Sequence, residues 1–318
     1  MDSPSPAAAS SRFAPGVTHE ALLRRLLPGE PVSDLPVVQG QFHHVVIGSD
    51  RVVRFARTEA AAARLTERAA VLRVLAGLDL GFRTPEPLLA GGTRGTDEPP
   101  FLLLSRVPGA PLADGVLDHS DLDHAEVAAS VAAQYASLLA ALADAGTDTA
   151  VRAALPHARE GEWRRLAADV RAELFGLMSD AGRLRAERDI AELDGLPHLT
   201  GALVHGDLGG ENVLWQVVGG RPRLSGVVDW DEVTLGDPAE DLAAIGVGWG
   251  CACGCGCGGE LGDRVLDRVL ALGGRSEAYA GVAGRAATIR GTFALQQALS
   301  AYRDGDEQEL AEGLAGYL

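Results

Sequence analysis

In the segment Leu203-Val204-His205-Gly206-Asp207-Leu208-Gly209-Gly210-Glu211-Asn212-Val213-Leu214-Trp215, a carboxylate and a carboxamide stand five positions apart on a polar loop entering an apolar run. Phosphoryl transfer to a hydroxyl asks for this pairing. The carboxylate of Asp207 can accept or orient the attacking hydroxyl, and the amide oxygen of Asn212 can hold a magnesium ion that offsets charge on the phosphates. Downstream, Ser225-Gly226-Val227-Val228-Asp229-Trp230-Asp231 delivers a further carboxylate, Asp229, from the end of an apolar run. Any one of these residues alone would read as a turn or cap residue. Their joint occurrence points to a metal–triphosphate site.

The elements that must position them follow from pattern. Val213–Val218 and Leu224–Val228 are β-prone, and Gly219-Gly220-Arg221-Pro222 between them is hairpin chemistry. Gly236-Asp237-Pro238 opens a helix with Asp237 at its N-cap, and Asp241 is placed to accept backbone N–H groups of the catalytic loop. The N-terminal region expects a helix at Thr18–Leu27, a hairpin from Phe42–Ile47 and Arg51–Phe55, a helix at Thr58–Leu78 and a last strand ending near Val107. Beyond Pro108-Gly109 the periodicity is helical near 121–145, 160–178, 183–195, 238–247, 261–272, 277–301 and 306–314. The expected class is α+β: a flexible tail over 1–17, a small antiparallel-sheet lobe with one main helix over 18–107, and a mostly helical lobe carrying the catalytic hairpin over 108–318.

Composition narrows the chemistry. All 28 basic residues are arginine, so a Walker-type lysine, a Schiff base and a lysine general base are excluded. Residues 1–106 hold 12 Arg and 11 acids, whereas 107–318 hold 16 Arg and 33 acids. That excess argues against nucleic acid and suits a cationic ligand, for which Asp231 and Glu232 are candidate contacts. No apolar run approaches the roughly 20 residues of a membrane span, and the start lacks a secretory pattern, so a cytoplasmic protein, without membrane partners and monomeric or weakly dimeric, is expected. Cys251–Gly258 places all four cysteines at alternate positions, a spacing unlike structural zinc sites, and reads as a glycine-rich connection.

His205-Gly206-Asp207 with Asn212, then Asp229-Trp230, then Gly236-Asp237-Pro238 with Asp241, resembles the aminoglycoside and macrolide phosphotransferase family, whose fold is similar to that of protein kinases. Gln39–Gly48, Gly81–Pro85, Val204–Trp215 and Gly291–Gln297 look most like its members that act on cationic tuberactinomycin peptides, the viomycin and capreomycin phosphotransferases. The resemblance implies ATP, with GTP an open alternative, and Mg²⁺. It also implies that a strand cation holds the upstream phosphates; here an arginine must substitute for the family lysine, with Arg54 better placed than Arg57. Glu67, with Glu59 behind it, would be that arginine's helix partner. Leu104, Ser105 and Val107 would form the backbone hinge that reads adenine, and Gln39–His44 would cover the phosphates. Two rivals stay open: a kinase for another antibiotic or a small amine such as choline, and a nucleotide-binding regulator without catalysis.

Overall fold

The computed structural model describes residues 17–40, 43–92, 98–112, 124–245, 267–269, 271 and 281–318. Residues 1–16 of the tail expected over 1–17, Gln41, Phe42, the cysteine segment and most of the helix expected at 261–272 lie outside the described residues, and Val17 already begins a helix. The chain forms two compact units: residues 1–109 with Ser225–Asp231, and Ala110–Leu224 with Glu232–Leu318.

In the first unit, α1 (Val17–Leu26) precedes a five-stranded antiparallel sheet. Its strands are β1 (Val37–Gln39), β2 (His43–Ile47), β3 (Arg51–Ala56), β4 (Pro87–Gly91) and β5 (Phe101–Ser105), in the order β1-β2-β3-β5-β4. Side chains alternate across a strand. Val53 and Phe55 therefore join Phe101, Leu103 and the leucines of α1 in one core cluster, while Arg54 faces the other way. Between β3 and β4 runs α2 (Glu59–Ala76), whose N-cap Thr58 accepts from Ala61 N–H at 3.1 Å. Gly77 caps this helix, whose last residue, Ala76, stands two before the expected Leu78. The inward face of α2 carries Ala61, Leu65, Ala69 and Leu72.

The second unit contributes β6 (Ala110–Pro111), α3 (His124–Ala145), α4 (Thr149–Ala154), α5 (Glu162–Asp169), α6 (Asp180–Ala191), β7 (Ala202–Val204), β8 (Val213–Val218), β9 (Arg221–Val227, whose last residues belong to the first unit), β10 (Thr234–Gly236), α7 (Ala239–Ala244), α8 (Val282–Gly291), α9 (Phe293–Asp304) and α10 (Glu307–Leu314). The helix expected over 160–178 is interrupted after Asp169 by a π turn at Val170–Leu174, and that expected over 277–301 breaks at Thr292. The hydroxyl of Thr292 donates to Ile289 O at 2.7 Å and accepts from Gln296 at 2.9 Å. The helix is bent there because a side chain competes for its backbone.

The hairpin turn is tighter than expected, with Gly219 (φ 60°) and Gly220 (φ 73°) forming the bend and Arg221 already in strand. Positive φ at both central positions matches the right-handed twist of the flanking strands and requires glycine-like freedom. Pro222 is tolerated because β9 is an edge strand of the sheet β6-β8-β9. One expectation needs correction. Glu126–Ala145 within α3 is long and apolar enough to cross a membrane by length and composition. Its Val127, Val131, Tyr135, Leu138 and Leu142 are nevertheless buried within the second unit, so the apolarity is that of a core helix. From the middle of α3, Gln134 donates to Pro222 O at 3.0 Å and accepts from Leu224 N–H at 2.7 Å, clamping the hairpin.

Candidate active site

The loop carrying Asp207 and Asn212 leaves β7, all of whose residues are buried and which pairs antiparallel with β10. His205 is fully buried, and the N–H groups of His205 and Gly206 donate to the two oxygens of Asp241 at 2.8 and 2.9 Å. Gly206 turns the chain at φ 86°, and a Cβ there would lie 2.7 Å from Glu232 O, so no larger residue fits without strain. The N–H of Asp207 donates to His205 Nδ1 at 3.2 Å. A backbone N–H can only donate, so the imidazole proton of His205 sits on Nε2.

Asp207 is exposed and Asn212 buried. The Asn212 amide nitrogen donates both to Asp207 O at 2.8 Å and to its carboxylate Oδ2 at 2.9 Å. This contact orients the carboxylate and fixes which amide atom is the oxygen. Asn212 Oδ1 is thereby the side chain's acceptor atom and the candidate ligand for a cation.

Asp241 takes two hydrogen bonds but is wholly buried. Burial pushes its carboxyl up to about 7, against the two backbone bonds that favour the anion. Its neighbour Glu240 is pushed up to about 8, by burial first and by repulsion from Asp241 second. Glu240 lines a small cavity of about 70 Å³ with Glu162, Trp163, His198 and Asp237. Asp237 caps α7 by accepting from Ala239 N–H at 3.0 Å, and pairs with Arg285 through two bonds of 2.6 and 2.9 Å.

In the first unit, Ser225–Asp231 is held beside Arg83, whose N–H donates to Ser225 O at 3.1 Å and whose carbonyl accepts from Val227 N–H at 2.9 Å. Asp229 follows with φ 60°, the one non-glycine residue at positive φ among the described residues. Such strain clusters at functional sites. The buried Trp230 donates its indole N–H to Val227 O at 3.0 Å, which locks the turn. The Asp229 side chain is half exposed, and its Oδ1 lies 3.3 Å from Arg54 Nη2.

Arg54 makes a two-pronged pair with Asp231, 3.1 Å from Nη1 to Oδ1 and 2.6 Å from Nη2 to Oδ2, and Nη2 also donates to His43 Nδ1 at 2.9 Å. Accepting from a guanidinium keeps His43 neutral. Burial first, and the Arg54 charge second, lower its pKa to about 4. For Asp231 burial opposes ionisation, but Arg54 and Arg68 outweigh it and hold the carboxyl below its usual range. Arg57 is exposed and donates to Gly40 O at 2.6 Å.

Three expected roles change. Glu67 is exposed and, among the described residues, makes no ion pair with Arg54; the residue of α2 that turns inward is its neighbour Arg68, 3.8 Å from Asp231. Asp231, expected to face a cationic substrate, is engaged by both arginines, whereas Glu232 is exposed. In the hinge, Ser105 N–H is already spent on Glu86 O at 2.8 Å, and Leu104 is a buried strand residue paired with Val52. No bond from Val107 N–H is found among the described residues. Gln134 had no motif to reveal it.

The metal-binding candidates are all oxygen donors, Asn212 Oδ1 and the Asp229 carboxylate, which suit a hard cation such as Mg²⁺. Among the described residues no cluster of three or more His, Cys, Asp or Glu could hold a metal alone.

Residues 41–282 match the phosphotransferase enzyme family known as APH. The chain belongs to this phosphotransferase family. It is 64% identical to viomycin phosphotransferase of Streptomyces vinaceus over 300 residues, covering 94% of this chain and 98% of that protein. Among solved structures, the GDP complex of aminoglycoside 2'-phosphotransferase-IIIa superimposes with a TM-score of 0.72 at 19% identity, covering 93% of this phosphotransferase and 95% of that chain. A streptomycin–ATP–APH(2")-IIa ternary complex gives 0.62 at 16% identity, covering 93% and 94%. These structures share the kinase-like α+β fold of the aminoglycoside phosphotransferases with this chain.

Proposed function

We propose that this phosphotransferase moves the γ-phosphoryl group of ATP to a hydroxyl of viomycin or a related tuberactinomycin antibiotic, and so confers resistance to it in the cytoplasm. The observation that carries this reading is the Asn212–Asp207 contact, in a chain so nearly coextensive with a viomycin phosphotransferase. In the proposed step the acceptor oxygen bonds to the γ-phosphorus and the bond to the β,γ-bridging oxygen breaks. ADP leaves, and the hydroxyl proton passes to the Asp207 carboxylate. Asn212 Oδ1 and Asp229 would hold Mg²⁺, which supplies charge neutralisation of the phosphates. Arg54 would face the upstream phosphates, and Val107 N–H would be free to read the base. Glu232 and the acidic C-terminal part favour a cationic acceptor.

The test is incubation of the protein with ATP and Mg²⁺ and each of viomycin, capreomycin, kanamycin and choline, read by mass spectrometry, with GTP as a second donor. One added phosphate on viomycin or capreomycin is expected. Modification of kanamycin or choline alone would overturn the substrate assignment.

A further inference from the structure

In kinases of this shape a helix glutamate orients the strand lysine that holds the phosphates. This chain has no lysine, and among its described residues Glu67 of α2 makes no ion pair with Arg54. The helix instead turns Arg68 inward, its side chain only 13% exposed, towards the same carboxylate that Arg54 uses. Two guanidinium groups brought together repel unless an anion lies between them. Asp231 is that anion: it is 15% exposed, takes both prongs of Arg54 at 2.6 and 3.1 Å and lies 3.8 Å from Arg68 Nε. Trp230 O receives the other end of Arg68 at 3.4 Å, so the turn carrying Asp229 and the two arginines form one unit.

We infer that Asp231 is the positioning residue for Arg54, replacing the helix glutamate of the family, so that the phosphate-gripping cation is oriented from the metal-binding turn and not from α2. The inference rests on the phosphotransferase reading above. It has a stereochemical basis: a guanidinium presents a flat fork that a carboxylate matches with two parallel bonds, whereas an ammonium, a point charge, is held by its glutamate without fixing a plane. A buried fork without that partner would lose its aim. Among the described residues Arg54 Nε is buried without an acceptor and both Nη2 hydrogens go to Asp231 and His43, so Nη1, aimed by its one bond to Asp231, is the prong with a hydrogen to offer phosphate. Asp231 thus sets the angle at which the guanidinium meets phosphate, and Arg68 shares its charge.

The test is a double-mutant cycle read by equilibrium ADP binding in the presence of a chelator, with neither magnesium nor antibiotic, alongside turnover with viomycin. Asp231→Asn should weaken ADP binding about tenfold with Arg54 present, and less than about twofold in an Arg54→Met background, because residues acting through one another are non-additive. The antibiotic KM should stay within about twofold, while Glu67→Gln should weaken ADP binding less than Asp231→Asn does. Equal losses in both backgrounds, unchanged or tighter ADP binding, or a larger loss from Glu67→Gln would each overturn the inference. Should thermal melting show that Asp231→Asn does not fold, Asp231→Glu, which keeps the charge and displaces the carboxylate by one methylene, is put through the same cycle with the same expectations. A wild-type protein that binds ADP and phosphorylates viomycin establishes the underlying reading independently, and one that binds no nucleotide overturns both.

Discussion

The amide nitrogen of Asn212 reaches back to the carboxylate of Asp207 across 2.9 Å, so the residue proposed to meet the metal also aims the residue proposed to take the proton. Both functions converge on one side chain. Asn212→Ala should therefore lower kcat by about 10²–10³-fold, the scale seen when one preorganised donor is removed. It should also raise the magnesium concentration for half-maximal rate. Steady-state kinetics across a magnesium series checks both, and Asp229→Ala should share the magnesium effect.

Gly206 carries the turn before Asp207 at φ 86°, with Glu232 O only 2.7 Å from where a Cβ would sit. Gly206→Ala combines an unfavourable backbone region with a steric clash, and should cost about 1–3 kcal/mol in urea unfolding. Turnover should fall with it, because the displaced backbone is the one whose N–H groups Asp241 holds.

Gln134 donates to one β9 backbone group and accepts from another, at Pro222 and Leu224. Gln134→Leu fits an apolar helix but leaves Leu224 N–H without its partner, for which about 1–3 kcal/mol of destabilisation is expected. Equilibrium denaturation should show a lower midpoint with an unchanged slope.

Much of this site was legible in the sequence because its closest contacts are local. Asp207, Asn212 and His205 lie within eight residues, and hydrogen-bond chemistry constrains their spacing directly. Asp229 was legible from the apolar run that delivers it. The partner of Arg54 was not: Asp231 lies 177 residues away, and helical periodicity marks which positions of α2 face inward only to within one residue. That single step separates Glu67 from Arg68. Gln134 was hidden for a similar reason, since a lone amide in an apolar helix carries no pattern. The helix breaks at Val170 and Thr292 were missed because hydrophobic periodicity runs through them, and a π turn or a Thr hydroxyl redirects the backbone without altering it.

Glu240 gives a pH signature with a defined sign. Its folded pKa, about 8, lies above its ordinary value near 4.5, so the folded state binds a proton that the unfolded state releases. The stability it contributes is fully present below the unfolded value and is lost as pH rises through the folded one. Thermal stability should accordingly fall as pH rises from about 4.5 to about 8 and level off above it, by on the order of 1 kcal/mol per pH unit at most. Glu240→Gln should flatten that slope in melts across the range. His43, neutral in the fold, works in the opposite direction: its contribution is lost as pH falls from about 6.5 towards 4.

The most direct test of the account is Asp207→Asn, assayed for phosphorylated viomycin by mass spectrometry and, on the same preparation, for ADP affinity and melting temperature. Loss of transfer by at least about 10²-fold, with nucleotide binding and fold retained, is expected for a general base. Transfer at the wild-type rate would remove Asp207 from the reaction and contradict the account.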